Sequence, residues 1–243
     1  MPGKRGGRLE RAQLSTVVAA ALRLAKRRYS YRELSKATGV PAPLLSRYVT
    51  GRSLPGPEKA GAILEGLWRL ADPRRALAER MAETGGVLDT SIVLTDPLYL
   101  LLATLYYTRR LQGRGVTRIL VPEASGIPLA TSLSLALETP FTVARRRRPG
   151  LEGYDCSPGE PSFCIPRGTL GRSDRVLVVD DIVETGRTLR ALRLLVERAR
   201  ARLEAVAAVA VVGEEWRETS GVEEVEALIH LTKPGMSRRM PGL

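Results

Sequence analysis

The stretch Arg175-Val-Leu-Val-Val-Asp-Asp-Ile-Val-Glu-Thr-Gly-Arg-Thr188 decides the fold. Its apolar run, Val176 to Val179, has the composition of a strand buried on both faces of a parallel sheet. The run ends in two adjacent carboxylates, Asp180 and Asp181. A short loop with Thr185, Gly186 and Thr188 follows, and the apolar spacing predicts an amphipathic helix over 185–202. Acids at the carboxyl end of a strand, ahead of a small-residue loop at a helix N-terminus, suit a phosphate joined to a sugar. Free backbone N–H groups and the positive end of the helix dipole hold a phosphate, and carboxylates accept hydrogen bonds from ribose hydroxyls. The alternative is an ordinary strand–helix unit whose aspartates cap the helix.

Outward from this stretch, strands and helices alternate. A strand is predicted over 87–94 and a Leu-rich helix from Asp96-Pro97 to about Gly113. Strand 117–121, helix 127–137 and strand 141–145 come next, then a long loop, 146–172. After the 175–179 strand and its helix, strands are predicted over 205–212 and 225–231. Such alternation means a parallel sheet with helices on both faces, binding ligands at the carboxyl ends of its strands. Thr117–Ala130 is a second strand–loop–helix with a small-residue loop, Ala124-Ser125-Gly126. By itself that is a weak signal.

The first third of the chain differs. Residues 1–85 hold 17 Lys/Arg against 7 Asp/Glu, whereas residues 86–243 hold 21 against 19. A basic excess confined to one region implies that this region meets a polyanion. Residues 11–28 form an apolar helical stripe (Leu14, Val17, Val18, Ala21, Leu22, Ala25) closed by Lys26-Arg27-Arg28. Ser30-Tyr31-Arg32-Glu33 reads as a capping box, with Tyr29 and Leu34 placed for a hydrophobic staple. The helix it opens stops at Gly39, and a further helix covers about 42–50. Two short helices around a Gly-Val turn are a helix-turn-helix, and this one resembles the Cro/λ-repressor type, with Ser35 where a small Ala is usual. Ala42, Pro43, Ser46 and Arg47 face outward on the second helix. Arg47 is the candidate for a base edge, because a guanidinium pairs bidentately with guanine. Arg32, Lys36 and Arg52 are candidates for phosphate contacts. A helical hairpin for protein contacts is the alternative, and the net +8 of residues 11–60 argues against it.

Between the two regions, Leu54-Pro55-Gly56-Pro57 breaks the chain. Apolar helices over 58–70 and 73–84 follow, each able to pack on either region or on a second copy. The composition, 44% hydrophobic and 26% charged, is that of a soluble globular protein. No apolar run reaches the roughly eighteen residues of a membrane span, and no apolar core follows Met-Pro-Gly-Lys-Arg. A cytoplasmic protein without membrane contact is expected. The single histidine, His230, rules out a His-based triad or a His/Cys metal cluster. Cys156 and Cys164 are free thiols by the default for an intracellular chain, with a disulfide as the alternative.

Residues 176–188 also match the phosphoribosyl pyrophosphate (PRPP) motif of type I phosphoribosyltransferases at every position: four apolar residues, two acids, two apolar residues, any residue, then Thr-Gly-x-Thr. The resemblance covers about 86–232 and is specific at two motifs. It implies a PRPP site at Asp180, Asp181, Val183, Glu184, Thr185, Gly186, Arg187 and Thr188, with Mg²⁺ accompanying PRPP. It makes Glu123, Ala124, Ser125 and Gly126 the pyrophosphate loop. In the family the loop after 145 is a flap over PRPP, which singles out Arg145 and Arg146 among Arg145–Arg148. A solvated loop or an extra DNA contact is the alternative there. In 6-oxopurine members an Asp at the position of Glu184 acts as acid/base toward the purine, so Glu184 is the one candidate catalytic residue, or an exposed loop residue. Trp216 is either a stacking surface for a base or a core residue. The flap lacks the Lys and His of orotate phosphoribosyltransferases, since no Lys lies between Lys59 and Lys233.

The sequence "Gly-Ile-Pro-Leu-Ala" before the second helix looks like that of bacterial purine operon repressors and archaeal phosphoribosyltransferase-like regulators. Expected, then, is an α/β chain. A small all-α helix-turn-helix domain (1–55) and a helical connector (56–85) precede a type I phosphoribosyltransferase fold (86–235) and a basic tail (236–243). Its partners would be a double-stranded DNA operator, PRPP or a purine nucleotide, and a second copy in a homodimer. The alternative is an active purine phosphoribosyltransferase that regulates itself.

Overall fold

The computed structural model describes residues 6–147, 150 and 152–232. Arg148 and the tail 236–243 lie outside them. Helix α1 (Gly6–Lys26) buries Val18, Ala21, Leu22 and Ala25. Helix α2 (Tyr31–Thr38) starts at the expected capping box. The Ser30 hydroxyl accepts from Glu33 N–H at 3.2 Å, and Glu33 Oε2 accepts from Ser30 N–H at 2.7 Å. The Ser30 hydroxyl also donates to Glu33 Oε2 at 2.7 Å, and that bond, followed by the one from Ser30 N–H, holds the Glu33 carboxyl below its usual range. Gly39, at φ 70°, ends the helix in the left-handed conformation that glycine adopts without a Cβ penalty. Helix α3 (Ala42–Val49) turns Leu45 and Tyr48 inward.

Helix α4 (Pro57–Leu70) closes this core with Ala60, Ile63 and Leu67. It approaches α2 so closely that a Cβ on Gly66 would lie 2.6 Å from the Ala37 carbonyl oxygen. Helix α5 (Pro73–Glu83) instead sends Leu77 into the core of the second region. The two connector helices thus bury their main faces in different cores, with Trp68 of α4 packed against both. Among the described residues, no helix is long and apolar enough to cross a membrane.

The segment 87–94, expected as a strand, is a correction. Its end is the four-residue helix α6 (Ser91–Leu94). Asp89 Oδ1 accepts from Ser91 N–H at 3.1 Å and opens a turn. Val93 and Leu94 then pack against helix α7 (Pro97–Leu111) rather than entering the sheet. Helix α7 belongs to two cores at once. Leu98 and Leu102 join the α1–α4 cluster, while Ala103, Tyr107 and Leu111 join the sheet.

Strand β1 (Arg118–Pro122), helix α8 (Ile127–Leu137) and strand β2 (Phe141–Arg146) follow the expected alternation. The expected loop 146–172 contains a hairpin, β3 (Tyr154–Cys156) and β4 (Phe163–Pro166). Cys156 and Cys164 are directly paired across it and form a disulfide, against the default of free thiols. Cross-strand neighbours bring two cysteines within bonding reach, a register the linear spacing does not reveal.

Strand β5 (Arg175–Val183), helix α9 (Arg187–Arg198), strand β6 (Arg202–Val212), helix α10 (Glu215–Ser220) and strand β7 (Glu226–Leu231) complete the order. The seven strands lie β3-β4-β2-β1-β5-β6-β7, parallel from β2 to β7 and antiparallel at the β3–β4 edge. Alternation along β5 sets the two faces. Val176 and Val178 pack under α9 and α10, and Leu177 and Val179 pack under α7 and α8.

Candidate phosphate and sugar site

Strands β1 and β5 are parallel neighbours, with Leu120 beside Val178, so both small-residue loops emerge at one edge of the sheet. They touch. A Cβ on Gly126 would stand 3.2 Å from the Asp180 Cα, a gap that only a glycine leaves comfortably open. Strand β5 runs on past the expected end at Val179 to Val183 by pairing with β6, so the Asp180 side chain is buried within the strand, where its Oδ1 accepts from Asp181 N–H at 2.9 Å. Burial, reinforced by the adjacent Asp181 charge, pushes the Asp180 carboxyl well above the usual carboxylate range. Asp181 is half-buried and accepts from the Thr90 hydroxyl at 3.4 Å.

The loop closes on Gly186, which caps α9 at φ 74°. A side chain there would meet the Trp216 carbonyl oxygen at 2.6 Å, so Gly186 answers to both conformation and space. Trp216 is itself buried, with its indole N–H on the Gly213 carbonyl at 3.1 Å, and it supports the loop from below rather than offering a face to a base. Among the remaining loop residues, Glu184, Thr185 and Arg187 are exposed and Thr188 is half-buried. Val183 is buried in the core, so only its backbone faces the loop. In the first turn of α9 the Arg187 N–H donates to the Thr185 hydroxyl at 3.5 Å and the Arg190 N–H to the Gly186 carbonyl at 2.8 Å, and the N–H groups between them are the ones a helix N-terminus offers to an anion.

The expected pyrophosphate loop lies beside it. Ala124 and Ser125 are exposed, and the Glu123–Ala124 peptide is cis. Glu123 is committed: its N–H donates to Ala144 O at 3.0 Å and its Oε1 accepts from Arg146 N–H at 2.9 Å. Glu123 therefore pins this loop to the end of β2. Arg145 and Arg146, both exposed, pair with Cys164 and Phe163 of β4, and the Arg146 guanidinium sits 5.6 Å from the Phe163 ring centre. A cavity of about 540 Å³ between the hairpin tip and α9 is lined by Glu160, Arg187 and Arg190. A second, of about 330 Å³, lies at the opposite edge of the sheet among Arg114, Glu204 and Glu226, where Arg114 and Glu226 pair at 3.0 Å. It holds none of the site residues.

Of the candidates for DNA contact, Arg32, Lys36, Pro43, Arg47 and Arg52 are exposed, and Ala42 and Ser46 on α3 are half-exposed. Two contributors carry no motif. Thr90 touches the site from 91 residues upstream of Asp181. The hairpin bears on Arg145 and Arg146 through β4. Neither had a local signal in the sequence, since both contacts come from distant segments meeting at the sheet edge.

Comparison with known proteins agrees with this geometry. Residues 91–229 match the phosphoribosyl transferase domain family, and residues 20–67 match a helix-turn-helix family. A xanthine phosphoribosyltransferase of Moorella thermoacetica is 28% identical over 150 residues, 55% of this chain and 76% of that protein. A hypoxanthine/guanine phosphoribosyltransferase of Methanothermococcus okinawensis is 31% identical over 130 residues, 50% and 69% of the two chains. In fold, the adenine phosphoribosyltransferase of Rhodothermus marinus superposes with a TM-score of 0.54 at 24% identity, covering 60% of this chain and 86% of that one. The chain belongs to the phosphoribosyl transferase domain family and carries a helix-turn-helix at its amino-terminal side.

Proposed function

We propose that this member of the phosphoribosyl transferase family is a DNA-binding regulator of purine or nucleotide metabolism whose second region senses PRPP or a nucleotide. One observation carries the reading. Two adjacent carboxylates on β5, followed by the turn at Gly186 into α9, stand on the same chain as a basic helix-turn-helix, and α7 is packed into both cores.

In this reading Asp180 and Asp181 hold the ribose hydroxyls, and the backbone of 184–188 with Thr185 and Thr188 holds the 5′-phosphate. Ala124, Ser125 and Gly126 offer backbone to the diphosphate, with Arg145 and Arg146 at its rim neutralising charge. Among the described residues no cluster of three or more His, Cys, Asp or Glu forms a metal cage. A Mg²⁺ accompanying PRPP would supply charge neutralisation at the diphosphate. Arg47 reads a base edge, while Arg32, Lys36 and Arg52 set the register on phosphates. A homodimer places two such heads on two half-sites.

A second reading has a specific support. Glu184 is exposed in the loop where a general acid/base would meet a purine, and the relatives named above carry phosphoribosyltransferase names. In that reaction the purine nitrogen forms the new bond to C1 of the ribose as the diphosphate leaves.

Two measurements on the purified chain separate the readings. PRPP with Mg²⁺, followed by calorimetry, should bind, and Asp181→Asn should weaken binding by about tenfold or more, as loss of a charge-assisted hydrogen bond does. Unchanged affinity would remove the site assignment. Nucleotide formation from PRPP and hypoxanthine, guanine, xanthine or adenine, lost in Glu184→Gln, would establish the enzyme instead.

A further inference from the structure

We propose that residues 90–96 are the mechanical link between the sugar site and the DNA-binding helices, with Thr90 positioning Asp181 at one end and Asp96 holding Arg28 at the other. The inference rests on the regulator reading above and names the part that makes it work.

The seven residues touch both regions. At one end the buried Thr90 donates its hydroxyl to Asp181, the second carboxylate of the PRPP-type loop, at 3.4 Å. The Thr90 carbonyl accepts from Val93 N–H at 3.0 Å and Leu94 N–H at 3.1 Å, so Thr90 is built into the single turn of α6. Val93 and Leu94 are buried against α7, which makes that turn a rigid body rather than a loop. At the other end Asp96 caps α7, accepting from Leu98 N–H and Tyr99 N–H at 3.0 Å each. The other carboxylate oxygen of Asp96 forms an ion pair with Arg28, whose guanidinium also lies 5.1 Å from the Tyr99 ring centre.

Arg28 follows the end of α1 and stands two residues before Ser30, the cap of the first helix of the helix-turn-helix. Tyr29, between them, donates its hydroxyl to the Leu70 carbonyl at 3.2 Å and fixes the same corner to α4. One short rigid segment therefore joins a ligand-binding carboxylate to the corner that orients α2 and α3.

The physical step is a competition for Asp181. When ribose hydroxyls or their cation claim the carboxylate, Thr90 must share it or release it. The Thr90 carbonyl is bonded into α6, and α6 ends two residues before Asp96, so a shift of the Thr90 backbone is passed along this short segment. Ligand thus biases the corner at Arg28 by the difference in its affinity for the two arrangements and by no more.

The test uses the full chain and a duplex selected from a random-sequence pool, with DNA affinity measured by fluorescence anisotropy with and without saturating PRPP and Mg²⁺. Wild type should change affinity by about fivefold or more, the usual scale of such couplings. Arg28→Gln, which touches no residue of the sugar site, should bind PRPP within about threefold of wild type yet show less than about a twofold change in DNA affinity on adding PRPP. Thr90→Val, assayed at PRPP concentrations shown to saturate that variant, should lose the response from the other end, and Thr90→Ser, which keeps the hydroxyl, should restore it. A full response in Arg28→Gln would overturn the link while leaving the regulator reading intact. No response in wild type would overturn both.

Discussion

At the scale of single residues, Asp180 carries the clearest consequence. Its folded-state carboxyl titrates well above the usual range because it is buried beside another carboxylate. The stability it contributes is therefore full below the unfolded-state value near 4 and is lost as pH rises toward the folded-state value. Asp180→Asn keeps the Oδ1 acceptor for Asp181 N–H and removes the buried charge. We expect this variant to melt higher than wild type at neutral pH, by about 2–4 °C for each kcal/mol recovered in a chain of this size, while losing PRPP affinity. The gain should vanish below about pH 4. A variant that melts lower at neutral pH would mean that Asp180 serves structure, not ligand. The paired aspartates stood out because their pattern is local, two acids closing an apolar run before Thr-Gly-x-Thr, whereas the extension of β5 to Val183 depends on its pairing with β6. Thr90 was not, because nothing in its neighbours signals a partner 91 residues away. Trp216 shows the same limit from the other side. Its role under Gly186 depends on a backbone approach so close that a Cβ on Gly186 would lie 2.6 Å from the Trp216 carbonyl oxygen, which no spacing rule encodes.

Among elements, those with caps were the easiest to read. The capping box at Ser30 and Glu33, the stop at Gly39 and the start at Asp96-Pro97 each rest on bonds between near neighbours. Failures came where tertiary contacts decide. The β-branched end of 87–94 suggested a strand, yet a short turn of helix buries Val93 and Leu94 with no sheet partner required. The β3–β4 hairpin hid inside an apparent loop because each strand is only three or four residues long. Its disulfide encloses a short segment, so reduction should cost about 2–3 kcal/mol by loop entropy. The loosening should fall on β4, which pairs with Arg145 and Arg146. Hydrogen exchange should rise at 154–166 on reduction or in Cys156→Ser/Cys164→Ser, with little change in β5 and β6. Uniform loosening of the whole sheet would contradict this. Gly66→Ala should destabilise the helix-turn-helix by about 1–3 kcal/mol through overpacking against α2, seen as a lower melting temperature.

For the molecule as a whole, charge and architecture divide the labour. The basic excess lies in the first 85 residues, while the sheet region is nearly balanced. The division was visible in composition, and so was the order of the two regions. What composition could not show is that α7 is common property, with Leu98 and Leu102 in one core and Tyr107 and Leu111 in the other. Shared helices make independent folding of the halves costly and give the site a route to the DNA-binding face. DNA affinity should fall steeply with salt, since each phosphate neutralised releases counterions, and truncating Arg32, Lys36 or Arg52 should flatten that slope. The most direct test of the regulator itself is one titration: labelled duplex against the full chain at fixed salt, with and without PRPP and Mg²⁺ but with no base present. The account predicts a shift in DNA affinity of about fivefold or more. Superposable curves at a PRPP concentration shown by calorimetry to saturate the site would contradict it.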